Sequence, residues 1–293
     1  MSGEFGEELR GRVQFEVQLI VRVSAARQAG WWYTGSVRSL TEVAPGVLVA
    51  TSSYALTTST VVVGSSGGCL VIDPAVTAAD LAGLAAELAA RGLRPVVGWS
   101  THPHWDHVLW SRELGDAPRY AAPAAITVIE AERDGILDGA RQAAPDLDLE
   151  LVGRMRSLDA SAIPWDGPEA QLIVHNGHAP GHGAVFLPGS GVLIAGDMCS
   201  DVEIPLLELA ATDPLGDYRT GMERLASAPG VRQVVPGHGH VGDAAELRRR
   251  LALDAAYLEA ITSGKPAGDP RLTPDSPEWM RVMHDEQVRY FQD

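Results

Sequence analysis

The chain has 293 residues, 45% of them hydrophobic, enough to bury a sizeable core as one large domain or two intimate halves. Its 38 Asp plus Glu against 23 Lys plus Arg leave a formal charge of −15, which opposes phosphate backbones and anionic lipid and favours a small-molecule substrate. Two cysteines form no disulfide framework, no basic segment leads into a long apolar run at the N-terminus, and no stretch approaches the ~18 apolar residues of a membrane span, so a cytoplasmic protein is expected.

Residues 12–23 (RVQFEVQLIVRV) alternate polar and apolar and predict a strand. Trp31 and Trp32 follow, as a loop or an aromatic cover. Residues 46–76 contain three β-rich runs divided by Ser and Gly. GSSGG, at 64–68, matches a serine-hydrolase elbow by letter, but it joins two β-rich runs where an elbow needs a strand-to-helix turn, so it reads as a hairpin. A helix is expected over 78–90, with Thr77 as N-cap and Gly92 as stop. The buried strand PVVGW then delivers THPHWDH at 101–107. Residues 126–165 read as a helical insertion beside the active site. Strands return at QLIVH, AVFLP and GVLIAGD, followed by a helix near 215–227, the strand VRQVV, and a helix over about 243–261. The tail, 263–293, ends in a helix from Pro277 that Ser276 can cap. No linker separates independent domains, so residues 1–293 form one domain of two β-sheets packed together with helices outside.

Eight of the nine histidines lie in three glycine- or proline-punctuated turns, THPHWDH, HNGHAPGH and PGHGH. In extended chain His102 and His104 point to one side, while the adjacent Asp106 and His107 diverge. One pair of imidazoles can therefore face one cation, with Asp106 and His107 facing a second nearby. His182, Asp197 and His238 sit at later turns near the C-terminal ends of expected strands, so all could converge on one rim. Imidazoles mixed with carboxylates suit zinc, and also iron or manganese.

HxHxDH, then PGH, GD and PGHG, in this order over roughly residues 45–240, resemble the metallo-β-lactamase superfamily of hydrolases. The resemblance implies an α/β fold, a four-layer αββα sandwich of two mixed sheets. It implies that His102, His104 and His182 hold one metal, that Asp106, His107 and His238 hold a second, and that Asp197 bridges them. Catalytic zinc lowers the pKa of water to about 7, so hydroxide attacks a carbonyl or phosphoryl centre at neutral pH, with Asp106 and Asp197 orienting it. The expected activity is that of a dinuclear, zinc-dependent hydrolase of a small ester, thioester, lactone or related acyl substrate. The alternatives are an iron-dependent redox enzyme of the same fold, a β-lactamase-type amide hydrolase, and a ligand-binding scaffold without turnover. No nucleic-acid or membrane partner is expected, and a homodimer is left open.

The remaining polar groups read more plainly. His175 and His178 are taken as structural or supporting groups and not as ligands. His240 lies between pocket lining and solvent, and Asp201 and Glu203 lie on a solvated loop. Trp105 packs beneath the motif, and Cys199 is a small, partly buried neighbour of Asp197.

Overall fold

The structure, a computed structural model, describes residues 39–74 and 76–292. The strand expected at 12–23 and the Trp31–Trp32 pair lie outside these residues.

Seven strands form the first sheet: β1 (Thr41–Ala44), β2 (Val47–Thr51), β3 (Thr58–Val63), β4 (Gly68–Ile72), β5 (Arg94–Trp99), β6 (Arg119–Ala121) and β7 (Arg156–Ser157), in that spatial order. Its β1–β4 pairings are antiparallel; β4 to β7 run parallel. The second sheet holds β8 (Gln171–His175), β9 (His182–Leu187), β10 (Val192–Gly196), β11 (Gln233–Pro236) and β12 (Gly242–Asp243), ordered β12-β11-β10-β9-β8. Only β10 and β11 are parallel there. Helices α1 (Ala78–Ala90), α2 (Pro123–Ala131) and α3 (Arg133–Ala143) lie in the first half, and α4 (Pro214–Ala226), α5 (Ala244–Ser263) and α6 (Glu278–Gln292) in the second.

Side-chain alternation explains why two sheets make four layers. In β4, Leu70 and Ile72 face one way and Cys69 and Val71 the other; in β10, Val192 and Ile194 oppose Leu193 and Ala195. Leu70, Ile72, Val97 and Trp99 meet Val185, Leu187, Val192, Ile194 and Val235 in a core between the sheets. Val71 and Cys69 join Leu81, Leu84 and Leu88 of α1 on one outer face. Leu193 and Ala195 join Tyr218, Leu225, Tyr257 and Leu258 of α4 and α5 on the other. Strands buried on both faces read as continuous apolar runs, as CLVI and VLIA do. Each fully buried Val, Leu or Ile contributes about 1.5–3 kcal/mol of burial free energy.

Local signals mostly hold. Thr77 and Asp80 form a reciprocal capping box at α1, and Gly92 takes φ +68° just past its end. GSSGG is the turn between antiparallel β3 and β4, as the hairpin reading required. The last helix starts at Glu278, after Pro277, and the Ser276 hydroxyl accepts from Thr273 N and donates to Arg271 O in the turn before α6. Around 126–165, α2 begins earlier, at Pro123, α3 ends at Ala143, and the remainder holds a 3-10 turn at Leu149–Leu151, further turns and β7, which extends the first sheet. Trp105 packs beside α3, where a β-carbon on Gly139 would sit 2.9 Å from its ring, and it meets Tyr54 edge-on at 5.8 Å.

Candidate metal centre

The C-terminal ends of the parallel strands β4, β5, β10 and β11 open on one rim. A strand end is where backbone groups leave the ladder and side chains can converge. Bonds between the sheets fix this rim: Gly183 N donates to Thr101 O (2.6 Å), Thr58 N to Gly237 O (2.7 Å) and Trp99 Nε1 to Gly183 O (2.8 Å).

Around the rim, His102, His104, His178 and Asp197 bring their donor atoms into one group, and Asp106, His107 and His238 form a second. His104 Nδ1 and His178 Nε2 are 3.1 Å apart; His107 Nε2 and His238 Nε2 are 3.3 Å apart. Asp197 joins the groups. Its Oδ2 lies 3.4 Å from His102 Nε2 and 3.2 Å from His238 Nε2, and its Oδ1 3.2 Å from His107 Nε2. Ligands about 2.0–2.1 Å from a tetrahedral ion stand roughly 3.3 Å from one another, so these spacings fit metal coordination. Buried His102 Nε2 and Asp197 Oδ1 have no hydrogen-bond partner, as atoms reserved for an ion would. Gly237 permits this packing, because a β-carbon there would overlap Asp197 Oδ1.

The His182 ring stacks between His175 (4.6 Å, 18°) and His102 (5.2 Å, 17°), and both its buried ring nitrogens, like His102 Nε2, have no hydrogen-bond partner. His178, which the sequence reads as a supporting group, lies in the first donor group. Gly177 precedes it, and its own φ of +73° turns the imidazole toward His104. Asn176 Oδ1 accepts from Gly181 N and closes that turn.

Carbonyls and carboxylates behind the rings set their tautomers. His178 Nδ1–H donates to Leu206 O (3.0 Å) and His238 Nδ1–H to Ala55 O (3.0 Å), which leaves each Nε2 with a free lone pair. Asp73, at the end of β4, accepts from Thr101 N (2.8 Å), Thr101 Oγ1 (2.6 Å) and His107 Nδ1 (3.0 Å). The Thr101 hydroxyl, donating to Asp73, accepts from His102 Nδ1 (2.9 Å). The sequence reading missed Asp73; its one signal was a buried acid ending an apolar strand, LVID.

The two groups differ electrostatically. Burial lowers the pKa values of His102 and His104, and takes His178 to about 3, so the first group presents neutral imidazoles. Burial would also lower His107 and His238, but Asp197, aided by Asp106 and Asp73 at His107 and by Glu203 at His238, raises both. Asp106 and Asp197 would be raised by burial, yet the facing histidines hold both below the usual carboxylate range. The second group therefore favours a positive charge.

The peripheral residues sort themselves by contact. Cys199 is fully buried, and burial pushes its thiol well up, so it offers no thiolate. Asp201 is no solvated bystander: it accepts from His240 N and pairs with His240 Nδ1, both at 2.8 Å, while the His240 ring stays largely exposed. Glu203 lies 3.8 Å from His238 Nδ1. His175 is a supporting ring, stacked behind His182.

The family model described as "Metallo-beta-lactamase superfamily" matches residues 54–258. The chain belongs to the metallo-beta-lactamase superfamily. Hydroxyacylglutathione hydrolase of Rhodobacter capsulatus is 29% identical over 183 residues, which span 59% of this chain and 60% of that protein. This superfamily fold also matches an inverting sec-alkylsulfatase of a Pseudomonas species (TM-score 0.64, 16% identity, 87% of this chain and 50% of that one). A metallo-beta-lactamase family protein of Thermus thermophilus aligns with a TM-score of 0.60 at 23% identity, over 85% of this chain and 94% of that one. Such structural likenesses establish the αββα metallo-beta-lactamase fold. No helix among the described residues is long and apolar enough to cross a membrane.

Proposed function

We propose that the chain is a dinuclear, zinc-dependent hydrolase of small acyl substrates, with thioesters foremost. One observation carries the dinuclear reading: the Asp197 carboxylate stands within 3.4 Å of His102 Nε2 in one donor group and 3.2 Å of His107 and His238 Nε2 in the other. His102, His104 and His182, the last with buried ring nitrogens that have no other partner, would hold the first ion, and Asp106, His107 and His238 the second, with Asp197 shared. Zinc held by these residues would supply a Lewis acid and lower the pKa of water to about 7.

The chain's own groups do the rest. Asp106 and Asp197, held ionised, offer carboxylate oxygens that orient the attacking water and take its proton. Asp73 and the Ala55 carbonyl keep the ligating nitrogens of His107 and His238 unprotonated at Nε2. The thioester preference rests on the Rhodobacter capsulatus relative, matched over 60% of its length.

The test is a substrate panel against zinc-, manganese- and iron-loaded protein: acyl thioesters, aryl esters, lactones, nitrocefin and a bis-aryl phosphodiester. Two zinc ions per chain and a thioester kcat/KM at least about tenfold above the rest are expected. One iron per chain with turnover confined to the iron form would replace this reading by the redox alternative.

A further inference from the structure

Two residues of the candidate centre stand beyond the end of the ladder that carries them. The parallel pairing of β10 with β11 ends at Gly196 and Pro236, so Asp197 and His238 lie one and two residues past its last rung. Residues 197–208, which follow β10, have neither helix nor strand. Cys199 there takes φ +58°, a left-handed conformation that a residue with a side chain keeps only where its surroundings impose it. Two buried guanidinium groups impose it. Arg250 Nη1 of α5 donates to Cys199 O (3.2 Å), and Arg271 Nη1, from the segment before α6, donates to Ser200 O (3.2 Å).

Acids aim Arg271 from its other side. Its Nε and Nη2 donate to Asp269 Oδ1 (2.9 Å) and Oδ2 (2.7 Å), and its Nη1 also donates to Asp254 Oδ1 (2.7 Å). The turn so held reaches the turn of His238 at two points. Ser200 Oγ accepts from Val202 N (3.1 Å) and Glu203 N (3.0 Å), which leaves its one hydrogen for His238 O at 2.7 Å. Asp201 Oδ1 accepts from His240 N (2.8 Å). On the opposite side Gly239 N donates to Leu56 O (3.0 Å). Asp197 and Ser200 thus share one short turn, and His238 hangs from it with its Nε2 3.2 Å from Asp197 Oδ2.

We infer that Ser200, held by Arg250 and Arg271, is a positioning residue that fixes the His238 backbone beside Asp197 and so completes the second donor group. The inference rests on the reading of Asp106, His107 and His238 as ligands of a second ion. It gives α5 and the tail a part in the metal centre, although both arginines act only through the carbonyls of residues 199 and 200.

The test compares the parent with Ser200→Ala, Arg250→Met and Leu88→Ala, the last opening a cavity in the outer core of the first sheet. Arg271 is left intact, because its removal would leave Asp254 and Asp269 buried and unpaired. Two readouts are needed: zinc titration against a chelator, and the exchange with water of the His238 Nδ1–H, which donates to Ala55 O, followed by ¹H–¹⁵N spectra of metal-free protein. In Ser200→Ala second-site zinc affinity should fall about 10–100-fold, the usual loss when a ligand's support goes, with first-site affinity within about threefold of the parent. The His238 Nδ1–H should exchange at least about tenfold faster. Arg250→Met should move both readouts the same way by a smaller factor. Leu88→Ala should lower Tm and change neither. Parental second-site affinity and exchange in either Ser200→Ala or Arg250→Met overturn the inference, and so does an equal loss at both sites. A parent that binds no zinc at the second site, yet exchanges its His238 Nδ1–H faster in Ser200→Ala, defeats the metal reading and leaves the role of Ser200 standing.

Discussion

Replacing Asp73 by Asn separates the support of a ligand from the ligand itself. Asp73 is 2% exposed, accepts three hydrogen bonds and touches no donor group directly except through His107 Nδ1. Asn has nearly the same shape. Its Oδ1 must still accept from Thr101 N, since that N–H has no other role, and this places the amide NH2 where Oδ2 stood. Thr101 Oγ1 can accept from that NH2, but His107 Nδ1–H cannot. The ring relieves the clash by moving its proton to Nε2, the nitrogen that faces Asp197 and His238. Loss of a charged acceptor costs about 1.5–3 kcal/mol, which at roughly 2–4 °C per kcal/mol is a Tm drop of about 3–12 °C in metal-free protein. The larger effect falls on the second ion, whose affinity should fall about 10–100-fold, while the first ion is held as before. Asp73→Ala leaves three donors unpaired and should cost about twice as much stability. Calorimetry of the metal-free proteins and two-site zinc titration read these effects. An Asp73→Asn protein that binds both ions as the parent does would refute the argument that His107 depends on this acceptor.

His182→Ala removes a ring whose buried nitrogens have no other partner and should abolish first-site zinc binding, whereas His178→Ala, which removes a ring paired with Leu206 O and His104 Nδ1, should weaken it about 10–100-fold; titration of both variants decides between the two histidines. The metal-free protein should lose stability as pH falls below about 6.5. Burial lowers His175 to about 4 and His178 to about 3, so the unfolded chain binds more protons between those values and the ordinary histidine pKa. His175 alone is worth about 3 kcal/mol over that range, and denaturant melts of His175→Phe should show a correspondingly flatter pH dependence. Asp254, raised to about 6 by burial, opposes this trend. Cys199→Ala should keep both ions and all turnover, and thiol reagents should label the folded parent at neither cysteine, since both are buried with raised pKa values; rapid labelling of Cys199 would show that it reaches the site.

The fold was legible where pattern and length agree. CLVI and VLIA, apolar without interruption, could only be strands covered on both faces, and Thr77 with Asp80 marked a helix start. Short pieces were not legible: β6, β7 and β12 have two or three residues each, too few for any periodicity. Within the site, the spacing in THPHWDH settles which residues share a turn; His102 and His104 fall in one donor group and Asp106 and His107 in the other. The approach of His178 to His104 was not legible. It depends on one backbone dihedral and on a carbonyl at Leu206, which a linear pattern does not display. Asp73 escaped for a related reason: its role is defined by Thr101 and His107, which it meets only in three dimensions.

The central claim is that one carboxylate is shared by two ions. Crystals of zinc-loaded protein, measured on both sides of the zinc absorption edge, test it directly. The account predicts two anomalous peaks about 3.5–4 Å apart, one beside His102 and His104, the other among Asp106, His107 and His238, with Asp197 between them. In the first peak's shell His182 completes the set with His102 and His104. A single peak, or a pair that leaves Asp197 uncoordinated, would contradict it.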